Sequence, residues 1–250
     1  HLHHWNTPPL TGDGAPAASR VPSALLSDEL FSAKLESVLQ EGLRRTGTRP
    51  VSFRMGRWDL HARHWPLLAR AGILTDASVR PLHAGSAENL APDHFLAPQN
   101  TPYLVETGEG AVFEVPLTVT HLSPLLSRLV RLSGSRRLIS SLQNWGVLAL
   151  LPVYHPLWAM QAVTSLSAAR GNTVISLTWH SSEMMPGGNP RMPDRPSIDA
   201  FMAKCGAYVA WLKKNFTVTF ATMDELRRME AASSPVMRSA DADWAVPEGR

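Results

Sequence analysis

Three groups of side chains in this sequence have the type and spacing to do chemistry. The first is "HLHHWNTPP" at 1 to 9, where His1 and His3 stand two residues apart. In extended chain they point to one side and His4 to the other, so two imidazoles can share one metal ion. A catalytic zinc keeps three protein ligands and an open position, so a further ligand has to come from elsewhere. A solvated terminal segment is the competing reading. The second group is "FRMGRWDL" at 53 to 60, with Arg54 and Arg57. Two guanidinium groups cannot both be buried unpaired, so a carboxylate is expected beside one of them, unless both are surface residues. The third is "TWHSSEMMPGGNP" at 178 to 190, which carries His180 into a Ser-, Gly- and Pro-rich loop. An imidazole titrates near neutrality and suits general acid or base work, with Glu183 or the loop itself as its hydrogen-bond partner. A hydrogen-bonded core histidine is the plainer alternative. No Gly-x-Ser-x-Gly surrounds Ser181 or Ser182, which argues against a serine nucleophile.

The remaining histidines carry less. His61 and His64 are three apart and read as a solvated helix face, while His83, His94, His121 and His155 are isolated. No P-loop, Gly-x-Gly-x-x-Gly or Cys pair is present, so nucleotide and structural-zinc readings have no motif behind them.

The elements that must position these groups follow from periodicity. After a Pro-, Ala-, Gly- and Ser-rich stretch at 7 to 26, Ser27 caps a helix with Leu30, Phe31, Leu35, Val38, Leu39 and Leu43 at helical spacing, stopped by Gly47. Short strands are expected at 51 to 53 and 73 to 79, with a short helix between them ending near Gly72. Residues 80 to 102 read as a long excursion. Further strands are expected at 111 to 120, 147 to 153, 173 to 179 and 216 to 220. Helices are expected from Ser123-Pro124 to Gly134, over 157 to 170, over 197 to 214, and after the capping box Thr222 and Glu225. Strands alternating with helices and no hairpin signal predict a parallel sheet, whose chemistry lies on loops leaving the carboxyl ends of the strands. Residues 1 to 231 read as one domain and 232 to 250 as a polar, frayed tail.

Composition sets the bounds. Of 250 residues, 44% are hydrophobic and 18% charged, enough apolar content for a real core. The net charge of +3 is spread along the chain without a dense basic cluster, which argues against nucleic acid. No run of 18 apolar residues exists, so no membrane span is expected. The single Cys205 forms no internal disulfide; this suits a reducing compartment and leans towards the cytoplasm without fixing the location. The sequence does not begin with Met, so residues upstream of His1 are expected in the complete protein.

Taken in order, "HLHHWNTPP", "RPVSFRMGRWDL", "LTDASVRP", "FEVPLTVT", "LTWHSSEMMPGGNP" and "FTVTFATMDEL" resemble the polysaccharide deacetylase superfamily, carbohydrate esterase family four. The likeness is to the branch with His-Leu-His-Pro-Trp, Phe-Arg-Ala-Gly-Arg-Trp and His-Ser-Ser-Glu signatures, and it covers nearly the whole chain. It implies a distorted (β/α) barrel of about seven parallel strands, and hydrolysis of an acetyl group from a carbohydrate by a bound divalent metal, usually zinc. By the same likeness His1 and His3 are metal ligands, Arg54 orients the base carboxylate, and His180 is the late general acid. Arg57 and Trp58 lie at the oxyanion, and Trp5 and Glu183 near the substrate. The family's Asp pair lies on a first strand ahead of the histidine motif, where this sequence has no residues, so the barrel is expected to lack that strand here. His4 stands in place of the usual Pro, which keeps the choice of ligands among His1, His3 and His4 open. The runner-up is a non-catalytic glycan-binding protein that keeps the barrel and the aromatic residues Trp5, Trp58 and Trp65. A third reading is an amidohydrolase of a small C–N substrate.

Overall fold

The computed structural model describes residues 1–10, 22–85 and 90–242. Parts of two expected loops, at 11–21 and 86–89, and the end of the expected tail, at 243–250, lie outside the described residues.

The first long helix, α1 (Asp28–Thr46), follows its sequence signals at both ends. Ser27 Oγ accepts the Leu30 N–H at 3.2 Å, and Gly47 closes the helix at φ 73°, a left-handed turn open to glycine without a Cβ clash. Its buried face carries Phe31, Leu35, Leu39 and also Lys34. Lys34 Nζ donates to Thr7 O and Pro9 O, both at 2.7 Å, and so ties the histidine segment to the helix. The helix α2 (His64–Arg70) buries His64, Trp65, Leu67 and Leu68, and the His64 ring stacks on Phe31 at 4.2 Å. Trp65, grouped by the sequence with sugar-facing aromatics, is therefore a core residue.

The main sheet is mostly parallel and has five strands. They are β1 (Ser52–Phe53), β2 (Thr75–Asp76), β3 (Tyr103–Thr107), β4 (Gly110–Glu114) and β7 (Val236–Arg238), ordered β1-β2-β4-β3-β7. Leu2 adds a parallel bridge to Met55 beside β1. A separate pair, β5 (Val119–His121) with β6 (Val147–Ala149), is antiparallel. The five remaining helices are α3 (Pro124–Ser133), α4 (Arg136–Ser141), α5 (Leu157–Ala169), α6 (Arg195–Asn215) and α7 (Met223–Glu230). Asp194 caps α6 by accepting the Ser197 N–H at 2.9 Å, and Thr222 with Glu225 forms the capping box of α7.

The architecture is thus mixed α/β, and the expected count of about seven parallel strands is not reached. β3 and β4 form a hairpin paired from Tyr103 opposite Glu114 to Thr107 opposite Gly110. The expected strand at 111 to 120 divides into β4 and β5. The expected strands at 173 to 179 and 216 to 220 enter no ladder among the described residues, because a strand needs a partner edge. Between these segments lies a cavity of about 780 Å³ lined by Leu177, Tyr208, Leu212 and Val218. The 173 to 179 segment is held by Ser176 N–H to Thr118 Oγ1 at 2.7 Å and Thr178 N–H to Leu150 O at 3.4 Å. Residues 236–238, expected to fray, instead pair in parallel with β3. One core centres on Leu2, Phe31, Met55, Trp65 and Val112, and a second on Leu150, Met160, Val163 and Tyr208 between β6, α5 and α6.

Candidate active site

The segment at 1 to 9 is shaped by its own backbone. Asn6 N–H and Thr7 N–H both donate to His3 O, at 3.1 and 3.0 Å, and Thr7 Oγ1 donates to the same carbonyl at 2.8 Å. Leu2 N–H donates to Arg54 O at 3.2 Å, and Gly56 N–H to Leu2 O at 2.8 Å, so the histidine segment lies directly along the arginine motif. Gly56 is required there, since a Cβ would stand 2.5 Å from His3 Nδ1 and 2.8 Å from Leu2 O. Arg57 and Trp58 follow at φ 60° and 55°, left-handed conformations rare for such side chains and held by this packing.

His1 and His3 lie with ring centroids 4.4 Å apart, and the His180 ring is 6.0 Å from that of His1. Residues 1, 3 and 180 thus meet in one place. His4 is buried, and its charge is felt at both His3 and His64. Burial, then the charges of His180 and Arg57, hold His3 below the usual histidine range, which keeps it in the neutral form that can ligate a metal. Its Nδ1 is buried against Gly56 without a hydrogen bond, so Nε2 is the nitrogen left for a ligand.

His180 is fixed from the other side. Glu183 Oε2 accepts the His180 N–H at 2.9 Å, Oε1 faces His180 Nδ1 at 3.3 Å, and Asn189 Nδ2 donates to Oε1 at 3.1 Å. Glu183 thus takes the place of hydrogen-bond partner to His180 that its spacing offered, and although only 1% exposed it lines the same cleft as His180. That cleft, of about 280 Å³, is lined by Trp58, Arg80, Tyr154, Trp179, His180 and Glu183. Trp5 has the Arg57 guanidinium 4.4 Å over its ring, so that ring is occupied by a cation–π contact. Trp58 N–H donates to Met55 O at 3.2 Å and is thereby engaged within its own turn.

Beneath the histidines, Arg54 Nη2 donates to Thr178 Oγ1 at 2.9 Å and links β1 to the segment carrying His180. Burial lowers the Arg54 pKa, opposed by the charges of Asp76 and Glu114. Both carboxyls are fully buried, a feature the sequence reading missed. Burial raises the pKa of each, and in Glu114 the Asp76 charge pushes further. They hydrogen-bond one another while Ser78 Oγ donates to Asp76 Oδ1 and Val79 N–H to Glu114 Oε1 at 3.0 Å, an arrangement satisfied by one shared proton. The available signal was an acidic residue inside an apolar run, "LTDASV" and "FEV", which demands a buried partner. Arg54 Nε remains buried with no acceptor among the described residues.

His1 and His3 supply two nitrogen donors suited to zinc, and His180 lies nearby. Among the described residues, no group of three His, Cys, Asp or Glu is placed to hold a metal ion. The donors fit a divalent metal as part of a ligand set. Compared with family models, curated proteins and solved structures, the chain matches none.

Proposed function

We propose that this chain is a metal-dependent hydrolase that removes an acetyl group from a carbohydrate, on a distorted (β/α) barrel of the polysaccharide deacetylase type. The observation that carries the reading is the meeting of His1, His3 and His180, brought together from distant parts of the sequence, beside a half-buried Arg54. The Arg54 Nε without an acceptor supports it, because a carboxylate beside the histidines would both engage that donor and complete the ligand set.

A divalent metal, zinc above all, held by His1 and His3 would when bound polarise the acetyl carbonyl and lower the pKa of a water. The chain's own residues do the rest. His180, oriented through Nδ1 by Glu183, holds a proton at Nε2 for the departing amine or alkoxide. Trp179 lines the cleft with a ring on which a sugar face can stack, while Arg80 and Arg191 stand over the rings of Trp58 and Tyr154.

The limited donor set favours a second reading, a glycan-binding protein without turnover. The test combines zinc titration calorimetry with acetate release from acetylated glucosamine oligomers in the presence of zinc. Two imidazoles make a weak site, so weak zinc binding is expected, reduced at least about tenfold by His3→Ala. Acetate release that disappears in His180→Ala while zinc binding persists supports the hydrolase. Oligomer binding without acetate release favours the glycan-binding reading, and neither binding nor release sinks both.

A further inference from the structure

The charge of this chain is unevenly placed. Residues 115–182 hold five Arg and no Lys, Asp or Glu, whereas the rest of the chain carries 19 Lys and Arg against 21 Asp and Glu. Four of the five arginines, Arg128, Arg131, Arg136 and Arg137, belong to α3 and α4. The same two helices bury Val130 and Ile139 but leave most of the leucines of α3 exposed. Ser127 and Val130 form the buried side of α3, while Leu125, Leu126, Leu129 and Leu132 face solvent, Leu132 at 74% exposure. Exposed Leu138 on α4 and Trp145 just beyond it, at 85%, add to this apolar surface. None of these residues lines the cleft at His180.

An apolar surface of this kind marks an interaction site. A second copy seated on it would bring two positively charged stretches together, since a two-fold contact pairs a patch with itself and residues 115–182 have no carboxylate. Leucines with a tryptophan on a helix pair rich in arginine are the composition of an element lying in a membrane interface. There the apolar side chains enter the acyl boundary, the indole sits at headgroup level and the guanidinium groups meet lipid phosphates. At 10 and 6 residues, α3 and α4 are far too short to span a bilayer, and no helix among the described residues is long and apolar enough to cross one. We propose that α3 and α4 form a docking face for an anionic phospholipid bilayer and lie in its plane.

The test is co-sedimentation of the protein with vesicles of 3:1 phosphatidylcholine and phosphatidylglycerol, and with pure phosphatidylcholine. Binding to the anionic vesicles is expected, falling at least about tenfold when salt rises from roughly 0.1 to 0.5 M, because screening shortens the reach of the arginines. A loss of similar size is expected in Leu129→Ser/Leu132→Ser and in Arg136→Gln/Arg137→Gln, with thermal melting unchanged. Trp145→Ala replaces either pair that fails to fold. The proposal is overturned by no binding, by equal binding to neutral vesicles, or by folded variants that bind like the parent. A concentration-dependent dimer in sedimentation velocity without vesicle binding also overturns it and assigns the patch to a second copy.

Discussion

At Gly56 the candidate site is set by an atom that is missing. With no Cβ there, the His3 ring and the Leu2 carbonyl close onto the arginine motif. Gly56→Ala is expected to destabilise the protein by about 1–3 kcal/mol through overpacking, and to weaken zinc binding by displacing His3. Urea unfolding and zinc titration of the same variant check this, and unchanged values in both would refute it. The residue types at this site were readable in the sequence, since an arginine-glycine turn and paired histidines invite a site. The pairing of Glu183 with His180, three residues apart, was readable too, whereas only geometry shows that Arg57 covers Trp5.

At the scale of elements, α1 acts as an anchor as well as a core helix. Lys34 reaches inward to two carbonyls of the histidine segment, and burial lowers its pKa. Lys34→Met keeps the apolar stem but strands both acceptors, so a loss of about 2–4 kcal/mol is expected, along with faster proteolysis near residues 7 to 9. Thermal melting with limited proteolysis measures both, and a variant as stable and as resistant as the parent would remove the anchor. The starts of α1 and α7 were legible because capping is local chemistry: Ser27 and Thr222 each accept a backbone N–H three residues on, whereas the Asp194 cap places the start of α6 two residues ahead of the expected 197. The β3/β4 hairpin and β7 were not, because their stabilisation comes from edges distant in sequence. Tyr103–Thr107 follows a proline-punctuated stretch that hides its pairing, and Val236–Arg238 is too short to show a pattern of its own.

For the whole molecule, two sets of buried groups oppose each other as pH changes. Burial holds His64 at about 2 and His94 at about 4. The unfolded chain protonates these rings below about 6.5, so their contribution is present above that pH and is lost as pH falls, by about 1.4 kcal/mol per unit for each. Asp76 and Glu114 are raised by burial, so their contribution is present below the ordinary carboxylate range and is lost as pH rises towards their folded values. Glu114→Gln removes part of this second loss. It is expected to raise the melting temperature more at pH 8 than at pH 5, with a gain of at least about 1 kcal/mol at pH 8. A gain independent of pH would show that the pair does not share a proton. The apolar runs around Asp76 and Glu114 hinted that each carboxyl is buried, but their pairing was illegible because only the alignment of β2 with β4 sets one beside the other.

The order of the main sheet has a consequence in time. β3 at Leu104–Glu106 pairs with β7 at Val236–Arg238, which emerge from a ribosome some 130 residues later. At synthesis rates of about 5–20 residues per second, that edge of the nascent sheet stays open for on the order of ten seconds. An unpaired strand edge recruits other strands, so this is the interval in which the nascent chain is most exposed to association with its neighbours on a polysome and to capture by chaperones.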